Sequence, residues 1–145
     1  MEIPQHGGCL CGSVRYRVDA EPLTVYACHC TDCQRRTGSV FGISMVLRRE
    51  SVHVLSGELH AYRIVMPDGR TKNGRICSNC GSRLFGDPAL APALVVVQPG
   101  TLDDRSWVRP LAHIWTRSAQ PWVRLPDDAR IYATQPQDMA ELFSL

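Results

Sequence analysis

The sequence predicts a mainly β fold of short antiparallel strands with little helix. Residues 13–18 alternate strictly, with Val14, Tyr16 and Val18 on one side and arginines on the other, which is the period of a half-buried strand. Further runs of β-branched and apolar residues recur at short intervals, and glycine and proline turn signals separate them. Many short strands with such punctuation are typical of antiparallel sheets.

The remaining elements follow in order along the chain. A short strand over residues 24–27 runs into a cysteine-rich turn, and residues 31–36 suit one or two helical turns. Thr31 or Asp32 is placed to cap this helix and Gly38 to end it. Further strands are predicted over residues 40–47, 52–55, 59–66, 83–85, 93–97 and 112–115, with a hairpin turn at 67–69.

The length of 145 residues predicts a single domain over residues 1–145, with a core of its own. A C-terminal tail carries a short helix near 136–143, where Pro136 suits the first turn and apolar residues share one face. Those apolar residues are Met139, Leu142 and Phe143.

Composition excludes several classes of partner. A net charge of +2 is too small to indicate nucleic acid or an anionic membrane. No apolar run approaches the ~18 residues of a membrane span, and the first residues lack a secretory signal. An odd number of cysteines, seven, favours a reducing compartment. We therefore expect a cytoplasmic protein; nothing in the sequence sets its oligomeric state.

All seven cysteines fall into three short groups, which indicates metal binding. A central triplet is flanked by two pairs that share a Cys-Gly-Ser ending, and a glycine after the second ligand suits a tight metal-binding turn, or knuckle. Because structural zinc is four-coordinate, two pairs close one site and leave the triplet with an open position. The groups are Cys9 with Cys11, Cys28 with Cys30 and Cys33, and Cys77 with Cys80.

Two alternatives for the triplet stay open at the level of sequence. A histidine could complete a closed site, although His29 points away from its neighbouring cysteines if the segment is extended. Cys30 and Cys33 could instead form a redox pair, but the βαβ context of such motifs is missing. The remaining candidate histidines are His6, His53, His60 and His113.

Four motifs, in matching order and spacing from about residue 7 to residue 125, carry a family resemblance. They are Gly8-Cys9-Leu10-Cys11-Gly12 with Val14-Arg15-Tyr16; Cys28-His29-Cys30-Thr31-Asp32-Cys33 with Arg35, Arg36, Thr37 and Gly38; Cys77-Ser78-Asn79-Cys80-Gly81-Ser82; and His113-Ile114-Trp115 with Trp122. On these motifs the chain resembles the glutathione-dependent formaldehyde-activating enzyme (GFA) family, which includes centromere-protein-V-like proteins.

The resemblance implies a compact sandwich of several short coiled antiparallel sheets organised around zinc, with two zinc ions per chain. The implied reaction is the reversible addition of glutathione, or another thiol, to formaldehyde or a related small aldehyde. That is a carbon–sulfur lyase of the S-(hydroxymethyl)glutathione synthase type. The implied ligands are Cys9, Cys11, Cys77 and Cys80 for a structural zinc, and Cys28, Cys30 and Cys33 for a catalytic zinc.

Glutathione carries two carboxylates, so Arg35 and Arg36, which follow the triplet, are candidate substrate contacts. Aromatic residues could wall a pocket. The alternative function is a non-catalytic, zinc-stabilised module that binds a protein partner. A zinc-ribbon nucleic-acid binder is disfavoured, because the charges are mixed and nearly balanced. The candidate wall residues are Trp107, Trp115 and Trp122.

Overall fold

The structure, a computed structural model, describes residues 1–144 and is mainly β, as the sequence predicts. The strands are β1 Gln5–Gly8, β2 Arg15–Val18, β3 Thr24–Cys28, β4 Gly42–Arg48, β5 Val52–Ser56, β6 Leu59–Val65, β7 Thr71–Cys77, β8 Arg83–Gly86, β9 Leu94–Val97, β10 Ala112–Ile114 and β11 Arg130–Ile131. The helices are α1 Thr31–Thr37 and 3-10 turns at Arg49–Ser51, Pro99–Thr101, Thr116–Ser118 and Met139–Ser144. Within the described chain, no helix is long and apolar enough to cross a membrane.

Contacts within the chain divide it into two compact units, each built from two separate segments. Unit 1 comprises Met1–Pro22 and Val46–Trp107, and unit 2 comprises Leu23–Met45 and Val108–Leu145. Each cysteine cluster therefore belongs to one unit. The single domain over residues 1–145 that the sequence predicts stays a prediction.

Unit 1 is built of antiparallel strands. Strands β1, β2 and β5 form one sheet in the order β1-β2-β5, and β6 to β9 lie side by side in the order β9-β8-β7-β6. The predicted hairpin across residues 67–69 joins β6 to β7, and its register runs from Leu59 opposite Cys77 to Val65 opposite Thr71. This register ends β7 at Cys77, the first cysteine of the second pair.

The alternation predicted for β2 is confirmed, since Val14, Tyr16 and Val18 are buried. The Tyr16 ring meets Phe85 of β8 edge-on, with ring centroids 5.2 Å apart. Strand β1, which pairs antiparallel with β2, was not predicted. Half of its four residues are glycine, whose low strand propensity hides the element from sequence analysis.

Unit 2 contains the strands β11, β10 and β3 side by side in that order, followed by the first part of β4, up to Met45. Strand β10 runs parallel to both β3 and β11, whereas the sequence predicts antiparallel pairing. Parallel neighbours need a long crossover connection, and the chain between β3 and β10 is ample for that. The register places Ala112 opposite Tyr26 and Ile114 opposite Cys28.

Helix α1 begins and ends close to the predicted positions, but its cap differs. The N-cap is Cys30 rather than Thr31 or Asp32, and its Sγ accepts a hydrogen bond from the Cys33 amide. Gly38 ends the helix in the left-handed conformation, as predicted.

The helix expected near 136–143 is a 3-10 helix that starts at Met139. Residues three apart share a side in a 3-10 helix. Leu142 is accordingly buried and Met139 packs beside it, while Phe143 is exposed.

Candidate metal centres

The first candidate centre joins the two outer cysteine pairs in unit 1. The Sγ atoms of all four residues lie within 4.8 Å of one another. The Cys9 and Cys11 sulfurs are 3.4 Å apart, and those of Cys11 and Cys77 are 3.9 Å apart. Four sulfurs placed tetrahedrally about 2.3 Å from one zinc ion lie about 3.8 Å from each other, so the set of four, Cys9, Cys11, Cys77 and Cys80, fits a metal ion.

Both pairs sit in tight turns that use glycine. The amide of Gly12 donates to the Cys9 carbonyl and the amide of Gly81 donates to the Cys77 carbonyl, each at 3.0 Å. Gly12 and Gly81 have φ angles of 78° and 72°, a left-handed conformation that favours glycine. The shared Cys-Gly-Ser sequence thus produces two similar turns whose sulfurs face one point.

Polar side chains surround these sulfurs and were not predicted as part of the site. The Ser13 hydroxyl lies 3.1 Å from the Cys11 sulfur and 3.3 Å from the Cys77 sulfur, and the Asn79 amide donates to Cys11 at 3.3 Å. Hydrogen bonds, first from Ser13 and then from Asn79, lower the pKa of Cys11 to about 5. The signal in the sequence was the serine that ends each Cys-Gly-Ser repeat.

The second serine of the repeat has a matching role. The hydroxyl of Ser82 lies 3.2 Å from the Cys80 sulfur and accepts a hydrogen bond from the amide of Leu10 at 3.0 Å. This hydrogen bond to sulfur is the main cause that lowers the pKa of Cys80 to about 7. Ser82 therefore links the turn of the second pair to that of the first.

The second candidate centre is the triplet in unit 2. Cys28 ends β3, Cys30 caps α1 and Cys33 lies in its first turn. Their Sγ atoms also lie within 4.8 Å of one another. Within residues 1–144, no histidine or carboxylate joins this group, so the described donors number three and a metal there would keep an open position.

The surroundings of the triplet are apolar. Cys28 belongs to a buried cluster with Ala112, Ile114 and Leu142, and Cys30 and Cys33 pack against that cluster. Hydrogen bonds to Cys30 and Cys33, together with burial, raise the pKa of Cys28 well above its usual range. Polar groups thus surround the sulfurs of the four-cysteine cluster, whereas apolar side chains surround those of the triplet.

His29 lies between two ligands yet faces another part of unit 2. Its Nε2 is 2.9 Å from Nδ1 of His113, its ring packs near Phe41, and both histidines are buried. Burial, followed by the neighbouring His113, lowers the pKa of His29, and burial lowers that of His113. Both rings are therefore neutral near pH 7, and His29 serves to hold the loop.

A glutamine network also holds the triplet loop. The side-chain amide of Gln34 donates to the carbonyl of His29 at 2.8 Å and to that of Ser118 at 2.9 Å. Gln120 donates in turn to the Gln34 side-chain oxygen at 2.9 Å. These contacts tie α1 to the turn after β10, and no feature of the sequence pattern indicated them.

The candidate substrate contacts differ in placement. Arg35 is exposed, whereas Arg36 is half-buried and interacts electrostatically with Tyr26 and Cys33. The Arg36 Nε is buried with no hydrogen-bond partner. Of the two, Arg36 is therefore the arginine whose charge acts at the triplet.

Of the three tryptophans proposed as pocket walls, one lies at the triplet. Trp115 packs against the apolar cluster of Cys28. Trp122 is 70% exposed, and Trp107 belongs to unit 1, where it lines a cavity of about 470 Å³ near the N-terminus.

Comparison with known proteins adds two findings. A sequence model of the glutathione-dependent formaldehyde-activating enzyme family matches residues 4–118. The fold is also similar to the crystal structure of a Rhodobacter sphaeroides protein, with a TM-score of 0.54 over 72% of this chain and 91% of that one. The two sequences are 24% identical, so this second likeness concerns the fold alone.

Proposed function

Because the chain belongs to the glutathione-dependent formaldehyde-activating enzyme family, we propose that it is a zinc-dependent carbon–sulfur lyase of the S-(hydroxymethyl)glutathione synthase type. It adds glutathione, or another thiol, to formaldehyde or a related small aldehyde, and it reverses that addition. The observation that carries the proposal is the division of the seven cysteines into a set of four and a set of three. Structural zinc takes four protein ligands, whereas catalytic zinc leaves one position for substrate.

In this proposal each chain binds two zinc ions. One is structural, and the other is catalytic, and a reducing compartment such as the cytoplasm keeps the thiols available. Bound at the triplet, zinc supplies a Lewis acid that favours a deprotonated sulfur at its open position. The structural ligands are Cys9, Cys11, Cys77 and Cys80, and the catalytic ligands are Cys28, Cys30 and Cys33.

Other residues of the chain orient the cysteine sulfurs of the triplet and fix the loop that carries them. The amide of Cys33 donates to the Cys30 sulfur at 3.3 Å and so orients that ligand. Gln34 and His29 fix the loop from the other side. The positive charge of Arg36 acts at Cys33 and favours anions there. We expect Arg36, together with the exposed Arg35, to attract the carboxylates of glutathione.

The reaction balances without an oxidant or reductant. The substrate sulfur attacks the carbonyl carbon, and one carbon–sulfur bond forms. The π electrons of the carbonyl move to its oxygen, which takes up the proton that the thiol gave up. In the reverse direction the carbon–sulfur bond breaks, the hydroxyl proton is lost and sulfur leaves with the bonding pair. The apolar side chains that pack around the triplet limit the water that would compete for the aldehyde.

The test compares the wild type with Cys30→Ser. Metal content per chain is measured alongside formation of the glutathione–formaldehyde adduct. We expect two zinc ions to fall to one, with loss of adduct formation in a protein that keeps its circular dichroism spectrum. Thr31→Ser, which changes the exposed residue next to Cys30, is the matched control and keeps both ions and the activity.

Two results would count against the proposal. One is a wild type that holds a single zinc ion and is unaffected by Cys30→Ser, which would favour a non-catalytic module that binds a protein partner. The other is a wild type with two zinc ions and no activity on any thiol–aldehyde pair.

A further inference from the structure

A segment beyond the family match packs against the three-cysteine site. The match ends at residue 118, whereas residues 130–143 lie beyond it in unit 2, where they contact β10 and also β3, the strand that ends at Cys28. The amide of Tyr132 donates to the His113 carbonyl at 2.9 Å, and the amide of Trp115 donates to the Thr134 carbonyl at 3.0 Å. The segment is therefore attached to β10 by backbone hydrogen bonds.

Three side chains of this segment pack on the triplet's apolar cluster. Leu142 is fully buried within it, and Met139 and Tyr132 are half-buried against it. The 3-10 helix that carries Met139 and Leu142 contacts β3, whose last residue is Cys28. Cys28 is only 6% exposed. The segment thus contributes to the burial of the first cysteine of the triplet.

We propose that Tyr132, Met139 and Leu142 form an apolar wall of the three-cysteine site and limit the size of the molecule that reaches its sulfurs. The thioether of Met139 and the side chain of Leu142 contribute volume and no hydrogen-bond donor. In an apolar pocket, one methylene changes selectivity about 10- to 200-fold. If the proposed function holds, on which this selectivity rests, the wall selects formaldehyde over longer aldehydes.

The test measures access to the sulfurs and needs no catalysis. The zinc-loaded protein is treated with iodoacetamide or with the bulkier N-ethylmaleimide, and peptide mass spectrometry gives the rate at each cysteine. We expect Met139→Ala to raise the N-ethylmaleimide rate at Cys28, Cys30 and Cys33 about tenfold, and the iodoacetamide rate much less. The rates at the four outer cysteines stay unchanged and serve as the internal reference.

Two matched variants control the experiment. Phe143→Ala removes an exposed apolar residue of the same 3-10 helix and leaves all rates unchanged. Met139→Leu keeps most of the volume and restores wild-type rates.

Unchanged triplet rates in Met139→Ala would overturn the proposal, and so would a rise that is equal for both reagents or that extends to the outer cysteines. Failure of the proposed function would instead appear as absent adduct formation, with the size-dependent alkylation intact.

Discussion

The two cysteine clusters offer the same ligand atom, a cysteine sulfur, but they differ in the sequence separation of their cysteines and in the groups that surround the sulfurs. In unit 1, four cysteines come from two turns that are distant in sequence, and hydroxyl and amide groups surround the sulfurs. In unit 2, three cysteines come from one stretch of six residues, and apolar side chains surround them. A metal in unit 1 would join distant segments, whereas the triplet loop is already held by protein contacts from Gln34 and His29.

This difference shows how cysteine can be used both in a metal site that stabilises the fold and in a metal site that leaves a position free for substrate. A metal that joins distant segments contributes directly to folding free energy. A metal held by three cysteines within six residues can also bind the unfolded chain, and it therefore contributes less to stability. Such a site can keep a position free for substrate. The contrast predicts unequal effects when equivalent changes are made at the two clusters.

The largest effect is expected from removing one ligand at each cluster. Cys77→Ser should lower the free energy of unfolding by about 4 kcal/mol or more, because a tightly bound ion stabilises only the folded state. Cys33→Ser should lower it by about 1–2 kcal/mol, as for an ordinary substitution. Urea denaturation measures both, and equal losses would remove the distinction between the clusters.

The next largest loss of stability is expected from a substitution in the turn between β5 and β6, which contacts Ser13 of the four-cysteine cluster. A Cβ on Gly57, between β5 and β6, would overlap the carbonyl oxygen of Ser13, the residue whose hydroxyl lies near the Cys11 sulfur. Gly57→Ala should cost about 3–4 kcal/mol, from left-handed strain and overpacking together. Gly69 has the same φ of 83° and open space around it.

Gly69→Ala is therefore the matched control and should cost about 1 kcal/mol. Metal analysis should show loss of zinc from unit 1 only in Gly57→Ala. Similar denaturation midpoints for the two variants would contradict the close contact with Ser13.

A smaller effect, a loss of metal affinity, is expected when the Ser13 hydroxyl that contacts the sulfurs is removed. Ser13→Ala removes a donor close to Cys11 and Cys77, and loss of such outer-shell contacts lowers metal affinity about 10- to 100-fold. Competition with a chelator measures this for one zinc ion and should leave the triplet's ion unaffected. Ser106→Ala, an exposed serine of unit 1 away from the cluster, should change neither ion.

The sequence predicts most of the strands and the mainly β class, because alternating and apolar runs follow the strand period. Its cysteine spacing predicts the same groups as the structure, since a separation of two or three residues places ligands in one turn. The resemblance to the family is confirmed. The zinc ligands themselves stay a prediction.

Features set by distant packing were beyond the sequence pattern. Parallel pairing of β10 with β3 depends on tertiary contacts, and glycine-rich β1 carries no strand signal. The network around Gln34 joins residues 84 apart. The cap at Cys30 was missed because sulfur is an uncommon capping acceptor compared with oxygen.

The smallest effect tests that cap. Thr31→Ala should change the free energy of unfolding by less than about 0.5 kcal/mol, because the structure assigns the cap to Cys30 and not to Thr31. Thermal denaturation measures the difference. A loss of about 1 kcal/mol, the usual cost of removing a cap, would indicate that Thr31 and not Cys30 caps the helix.

The separation of Cys11 and Cys77, 66 residues, has a consequence for biosynthesis. At about 5–20 residues per second, the second pair leaves the ribosome about 3–13 seconds after the first. Cys33 follows Cys11 by only 22 residues, so the triplet is complete after the first third of that interval, while Cys9 and Cys11 still have no facing pair. Closing a loop of this length costs about 4 kcal/mol of chain entropy. The three cysteines of the triplet are thus available to a metal earlier on a growing chain, and the four-cysteine set is completed only once Cys80 has been made.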